Sequence, residues 1–510
     1  MKKAIFGLAA LSIAVGAVLT GRTLAVRMPP AAPAAEAGAA LPASVSIERA
    51  AQRLGEAVRM PTISFQRGLE NEATRRSLAA FEEFRDWIEK TYPAFSGAAR
   101  RDIVNKYSLL FTWEGSEPSL KPVLLMSHMD VVPVVPGTEK DWSHAPFSGA
   151  VADGSVWGRG TLDNKGSLVA MLEAADALAA QGFRPKRTIM FAFGHDEEIG
   201  GQEGNVKIAE LLASRGVRLA FVDDEGGLVT MGAVKGIEVP VALVGVAEKG
   251  MLSLQLTAHA TGGHSSMPPH QEETAVGRLV RAIELVGQNP FSSQIDGPTR
   301  RMLEALAPAL PFGRRLVFAN LWLFEPLVER VMNEDPATAA QLHTTIAPTM
   351  LNAGIKENVL PPEARGVVNF RIHPRDTIAG VTGHVGEAIN DPKVDIAALP
   401  GAREASRVSN MDGPAYRLLS ETISRAYPDA LVAPNLTVAG TDSRHYLDLT
   451  DNVFRFIPIR VTPDELAGFH GTNERITVTT LGEAIGFYWT LMQNLDEPAL
   501  DGPAGEGGKG

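Results

Sequence analysis

Five short segments gather acidic residues and histidines whose types and spacing suit metal-assisted hydrolysis. They are SHMDVVP at 127–133, GRGTLDNKG at 158–166, FAFGHDEEIGG at 191–201, FVDDEGG at 221–227 and FHGTNERI at 469–476. His128 and Asp130 lie two apart in an extended stretch, so their side chains point the same way, and a carboxylate there can accept the second N–H of a metal-bound imidazole. Asp163 stands in a glycine-rich loop that opens a helix. It could simply cap that helix, yet a carboxylate has two oxygens and can bridge two ions. Asp196, Glu197 and Glu198 end an apolar strand, where such charge is costly without cations; one can bind metal while its neighbour takes a proton from water. Asp223, Asp224 and Glu225 again follow an apolar run, and His470 comes late, after a strand and a loop.

These residues need a frame that gathers strand ends. VLLMS at 123–127, TIMFAF at 188–193, LAFVD at 219–223 and VFRFIPI at 453–459 read as buried strands, and Lys165–Gln181 reads as a helix packed on them. Such alternation indicates an α/β fold with a mostly parallel central sheet, in which ligands bind beyond the carboxyl ends of the strands. The middle of the chain differs. MLSLQLTAHATG at 251–262 and RGVVNFRIHP at 365–374 alternate polar and apolar, with helical stretches near 272–287 and 377–389. This predicts an inserted α+β unit of β-α-β-β-α-β order. The expected division is a catalytic domain in two parts, 45–245 and 405–497, around a lid at 246–404, with a proline-rich helical elaboration at about 290–345.

Composition narrows the chemistry. At 510 residues the chain is long enough for two domains. A net charge of −11 without a Lys/Arg cluster argues against a nucleic-acid partner. With no cysteine, thiolate metal sites, iron–sulfur clusters, cysteine nucleophiles and disulfides are excluded, so a metal must be held by His, Asp and Glu. Lys2 and Lys3 before the apolar run Ala4–Gly21 mark residues 1–28 as a signal peptide or signal anchor, which implies export to the periplasm or exterior and allows a membrane anchor. Residues 29–44 read as a Pro/Ala-rich linker and 498–510 as a disordered tail.

Taken together, SHMDVVP, GRGTLDNKG, DEEIGG, DEGG and HGTNE resemble the di-zinc aminoacylase and carboxypeptidase family. The resemblance is strongest to its branch of carboxypeptidase S and N-fatty-acyl-amino-acid hydrolases. It runs from about 45 to 495 and includes WLFEPL at 322–327, NVLPP at 358–362 and GTDSR at 440–444. It implies a zinc-exopeptidase-like catalytic domain and hydrolysis of an amide bond beside a free carboxylate, in a peptide or an N-acyl amino acid. Residue by residue it implies two Zn²⁺ per chain, one held by His128 and Asp224, the other by Glu198 and His470, with Asp163 bridging. Asp224 is preferred to Asp223 because it directly precedes Glu225-Gly226-Gly227. By the same carry-over Asp130 orients His128, Glu197 is the general base, and His264 is a lid histidine that stabilises the oxyanion, often from a second subunit of a homodimer. Arg371 grips the substrate carboxylate, and Asn358 offers a substrate hydrogen bond. An oxygen and nitrogen ligand set also suits Co²⁺ or Mn²⁺. Two other readings are weaker. A serine hydrolase lacks its G-x-S-x-G elbow, and an exported metal- or solute-binding protein has no need of Glu197 beside Glu198.

Overall fold

The computed structural model describes residues 2–27, 41, 44–65, 68, 71–232 and 236–501, and of 2–12 the backbone alone. Its largest sheet runs in the order Arg100–Val104, Ser108–Trp113, Ile189–Gly194, Val123–His128, Phe221–Asp224, Val453–Arg455, Val241–Glu248, Val229–Thr230 and Arg460–Val461. Leu431–Thr437 pairs with Val241–Glu248 outside this path. The strands Val123–His128 and Ile189–Gly194 are buried at every residue, because helices cover both faces. On one face Leu125 and Phe191 pack with Leu168, Leu172 and Tyr488; on the other Leu124, Met190 and Val222 pack with Ile208, Leu212 and Leu449.

The register places the chemistry. Val123 pairs in parallel with Ile189 and Phe221, and His128 lies opposite Gly194, so three strands end together and deliver His128, the 196–198 acids and the 223–225 acids to one edge. The sheet is parallel here but mixed overall. Ser108–Trp113 pairs antiparallel with Ile189–Gly194, and Val241–Glu248 pairs antiparallel with Val453–Arg455. The helix Lys165–Ala180 is buried on all sides from Lys165 to Ala175, more than one amphipathic face would require, because the helices Ile47–Arg59 and Val478–Gln493 cover its back.

After Glu248 the chain leaves this sheet, and Gly250–His259 begins a second, antiparallel one. Its order is Thr345–Ala353, Glu363–Ile372, Gly250–His259 and Val394–Ala398. Burial alternates along Gly250–His259, as a strand with one covered face requires. The helices Ala275–Gln288 and Ile378–Ile389 supply the cover through Leu279, Val286, Val381 and Val385. This is the β-α-β-β-α-β lid. The 290–345 stretch forms the helices Gly297–Leu306, Phe312–Phe318, Leu321–Met332 and Pro336–Ala339 between the first helix and the second strand of the lid. Leu306 and Leu310 pack on Val241, Leu431 and Ala433, which fastens the elaboration to the catalytic sheet.

At the N-terminus Lys2–Ala25 is helical and leans on this elaboration, where Asn320 Nδ2 donates to the Leu19 carbonyl at 3.2 Å. Among the described residues no helix is long and apolar enough to cross a membrane, so the expected anchor finds no support there. The expected linker at 29–44 lies outside the described residues, save Leu41 and Ser44. At the other end Pro498–Asp501, expected in the tail, instead forms a 3-10 turn whose Asp501 carboxylate pairs with buried Arg187; residues 502–510 lie outside the description.

Candidate metal centre

His128 closes its strand with Nε2 3.0 Å from Asp163 Oδ1 and 3.2 Å from Glu225 Oε2. The other oxygen of Asp163, Oδ2, lies 3.0 Å from His470 Nε2, which is 3.2 Å from Glu198 Oε2. Asp163 is therefore shared by two His/Asp/Glu triads, each of a size to surround one cation. The two clusters contain Glu225 where the resemblance places Asp224. Asp224 ends its strand with Oδ2 accepting from the Ser443 N–H at 2.8 Å, and Glu225, one step on, turns into the cluster beside His128. Asp223 is buried with Oδ1 lacking a hydrogen-bond partner, and its burial pushes its carboxyl well above the usual range.

Asp130 organises the strand ends. His128 Nδ1 donates to the Asp130 carbonyl oxygen at 2.9 Å, while the carboxylate stands 3.4 Å away. A carbonyl can only accept, so Nδ1 carries a proton and Nε2 is the nitrogen that a cation would meet. The Asp130 carboxylate instead accepts from the backbone N–H groups of Glu197 and Glu198, at 3.2 and 3.1 Å, and from Ser64 Oγ at 2.5 Å. It thus fixes the turn that presents both glutamates.

Glu474 does the same for Asp163. Its Oε1 accepts from the N–H groups of Gly160, Leu162 and Asp163 at 2.9, 2.8 and 3.2 Å, and its Oε2 accepts from Arg159 Nη1 at 2.8 Å. Arg159 Nη2 also donates to the Gly471 carbonyl at 3.0 Å, so one buried ion pair ties the Asp163 loop to the His470 loop. The Asp163–Asn164 peptide is cis. Asn164 Nδ2 donates to Glu225 Oε2 at 2.9 Å. Neither Ser64 nor Glu474 was singled out from sequence; Glu474 lies inside the HGTNE motif, which was the available signal, whereas Ser64 had none.

The electrostatics fit a cation site. Burial, then the neighbouring Asp163 charge, pushes Glu225 up to about 8 against the pull of His128. Burial also raises Glu197 and Glu198, and Glu198 Oε1 is buried without a partner. Hydrogen bonds to Asp163 and Glu198 push His470 up to about 10. So many carboxylates at one buried edge are stable only with positive charge among them, and imidazole with carboxylate ligands suits zinc, cobalt or manganese.

The triads line a cavity of about 580 Å³, whose lid side is formed by Met251, Arg371 and Arg403. Arg371 is the residue for which the family resemblance implies a carboxylate grip. His264 and Asn358 are brought together but not to this cavity. His264 pairs with Val359 in a two-stranded ribbon, is exposed and bonds Ser266 Oγ at 2.8 Å, while the Asn358 carbonyl accepts from the Ser265 N–H.

A sequence profile of peptidase family M20/M25/M40 matches residues 124–494. The chain belongs to this family. It is 40% identical over 451 residues to the mouse (Mus musculus) N-fatty-acyl-amino acid synthase/hydrolase PM20D1, covering 87% of each chain. It is 39% identical to the probable carboxypeptidase S-like 2 of Dictyostelium discoideum, covering 88% of this chain and 85% of that one. The fold matches the M20 family metallo-carboxypeptidase Sso-CP2 of Sulfolobus solfataricus with a TM-score of 0.62 at 17% identity, covering 87% of this chain and 98% of that one. The protein is therefore an M20 hydrolase of the peptidase and amidohydrolase kind, a group of metal-dependent enzymes.

Proposed function

We propose that this M20 hydrolase is a two-metal enzyme, with zinc as the first candidate and cobalt or manganese as alternatives, that cuts the amide bond of an N-acyl amino acid or peptide beside a free carboxylate. The observation that carries the reading is the sharing of Asp163 between His128 and His470, 3.0 Å from each. His128, Glu225 and Asp163 would hold one ion, and Asp163, Glu198 and His470 the other. Ions bound there would supply Lewis-acid polarisation of the scissile carbonyl and a more acidic water.

The remaining work belongs to side chains. Glu197 lines the cavity beside Glu198, held by its own N–H on Asp130. Its raised proton affinity suits a base that accepts the water proton and passes it to the departing amine. Asp130 keeps His128 and the glutamate turn in place. Arg371, which makes no ion pair among the described residues, takes the substrate carboxylate with its planar fork. His264 and Asn358 stand apart from the cavity, so we assign their oxyanion and substrate contacts to the cavity of a second copy in a homodimer. The N-terminal segment is read as an export signal.

The test is hydrolysis of N-acyl amino acids and blocked dipeptides, as free acids and as C-terminal amides, with and without chelator. Metal-dependent turnover confined to the free acids supports the reading. Equal turnover of acid and amide would remove Arg371 from its role, and chelator-resistant turnover would remove the metals.

A further inference from the structure

The cavity carries more positive charge than one carboxylate needs. Arg371 pairs across the lid sheet with Met251, and Met251 pairs on its other side with Arg403 through an isolated antiparallel bridge, so the three residues form one row above the metal centre. Arg403 is half-buried. Its Nε has no hydrogen-bond partner, its Nη1 reaches only Met251 Sδ at 3.8 Å, and it makes no ion pair among the described residues. Its guanidinium comes close to Gly440, where a Cβ would stand 2.0 Å from Arg403 Nη2. Glycine there lets the side chain lie across the loop into the cavity.

Arg444 lines the same cavity from below, with Nη2 donating to the Gly200 carbonyl at 3.0 Å. Arg444 has a carboxylate of its own, Asp442 Oδ1 at 3.8 Å from Nη2, whereas the carboxylates nearest Arg403 are engaged elsewhere. Glu248 accepts from Arg455 Nε and from the Thr441 N–H, each at 3.0 Å, and Glu197 faces the metal centre. Arg371 and Arg403 stand two cross-strand steps apart, roughly 9–11 Å between Cα atoms at about 4.5–5.5 Å per step. That spacing suits two anionic groups on one ligand better than the two oxygens of one carboxylate.

We propose that Arg403, backed by Arg444, is a second anion subsite, so that favoured substrates carry a carboxylate besides the one held by Arg371. The proposal rests on the amide-hydrolase reading for its substrate and names the class: dicarboxylic N-acyl amino acids. The second carboxylate can sit on the amino-acid side chain, as in an N-acyl-glutamate, or at the end of the acyl group, as in an N-glutaryl amino acid. Met251 separates the two guanidinium groups with an apolar spacer that suits the methylenes between such carboxylates.

The test compares kcat/KM of the metal-loaded full chain for N-acetyl-leucine, N-acetyl-glutamate and N-glutaryl-leucine, and repeats it for Arg403→Met and Arg403→Lys. Charged hydrogen bonds of this kind predict a selectivity for one dicarboxylate over N-acetyl-leucine that falls roughly 10- to 100-fold in Arg403→Met, with Arg403→Lys between. The dicarboxylate affected tells which side of the substrate meets Arg403. A second arm is independent of turnover: calorimetric binding of glutarate, adipate and suberate, each against the monocarboxylate of equal length. Arg403-dependent preference for a diacid with no hydrolysis of any N-acyl amino acid would sink the proposed function and keep the subsite. Unchanged ratios in Arg403→Met, in turnover and in binding, would overturn the subsite even in an active enzyme.

Discussion

Replacing Glu474 with glutamine probes the frame of the metal centre without touching a proposed ligand. Glu474 and Arg159 are both buried, with 0% and 2% of their side chains exposed, so water does not screen the pair. Either orientation of the amide leaves a donor facing donors. With its oxygen toward Gly160, Leu162 and Asp163, the NH₂ group meets Arg159; flipped, it meets the three backbone N–H groups. Arg159 loses its charge partner in both cases. Removing one partner of a buried pair costs about 3–5 kcal/mol, and because the oxygen can still accept from part of the backbone fan, about 3 kcal/mol is expected. Loosening the Asp163 loop should also weaken metal binding roughly 10- to 100-fold, as loss of a supporting contact does elsewhere. The assay is urea unfolding of metal-free protein together with calorimetric metal titration. Arg159→Met placed on top of Glu474→Gln should recover part of the lost stability, since the orphaned cation is then gone. A loss below about 1 kcal/mol with unchanged metal affinity would refute this account of the pair.

Three further outcomes follow from the site. Glu225→Gln should lower the metal content, whereas Asp224→Asn should act mainly on stability through its bond to the Ser443 N–H; metal loss at Asp224 alone would return the ligand to the position expected from the motif. Glu197→Gln should retain metal and lose roughly 10²–10⁴-fold in turnover, while Glu198→Gln should lose metal, and elemental analysis beside kinetics separates the two. Arg371→Ala should cut kcat/KM for free-acid substrates roughly 10- to 100-fold with metal content intact; an unchanged value would end its role as carboxylate grip.

The catalytic frame was legible because the runs 123–126, 189–193 and 219–222 are apolar at every residue, and only a sheet covered on both faces explains that. Shared strand ends then made His128 and Glu198 neighbours before any geometry, and the family resemblance added His470. Which of the acids 223 to 225 turns toward His128 was not legible. Three consecutive acids, Asp223 to Glu225, offer no periodicity with which to choose among them, and only the strand's end at Asp224 and the turn after it decide which side chain points in. Glu474 and Ser64 act through backbone N–H groups and a carboxylate distant in sequence, contacts that leave no local pattern. Likewise the antiparallel partners of the central sheet depend on how distant segments return, which strand composition does not encode. The helices of 290–345 could be read one by one, but their seat on the catalytic sheet comes from Leu306 and Leu310 meeting Leu431, a pairing that residue types alone do not specify.

The central claim is that Asp163 joins two cation sites, and the direct measurement is metal stoichiometry of the active enzyme beside that of Asp163→Asn. About two transition-metal ions per chain are expected in active protein, with activity lost on chelation and regained on adding metal back, and with weakened occupancy of both sites in Asp163→Asn. Active protein free of transition metal, or an Asp163→Asn variant that keeps both ions and normal turnover, would contradict it.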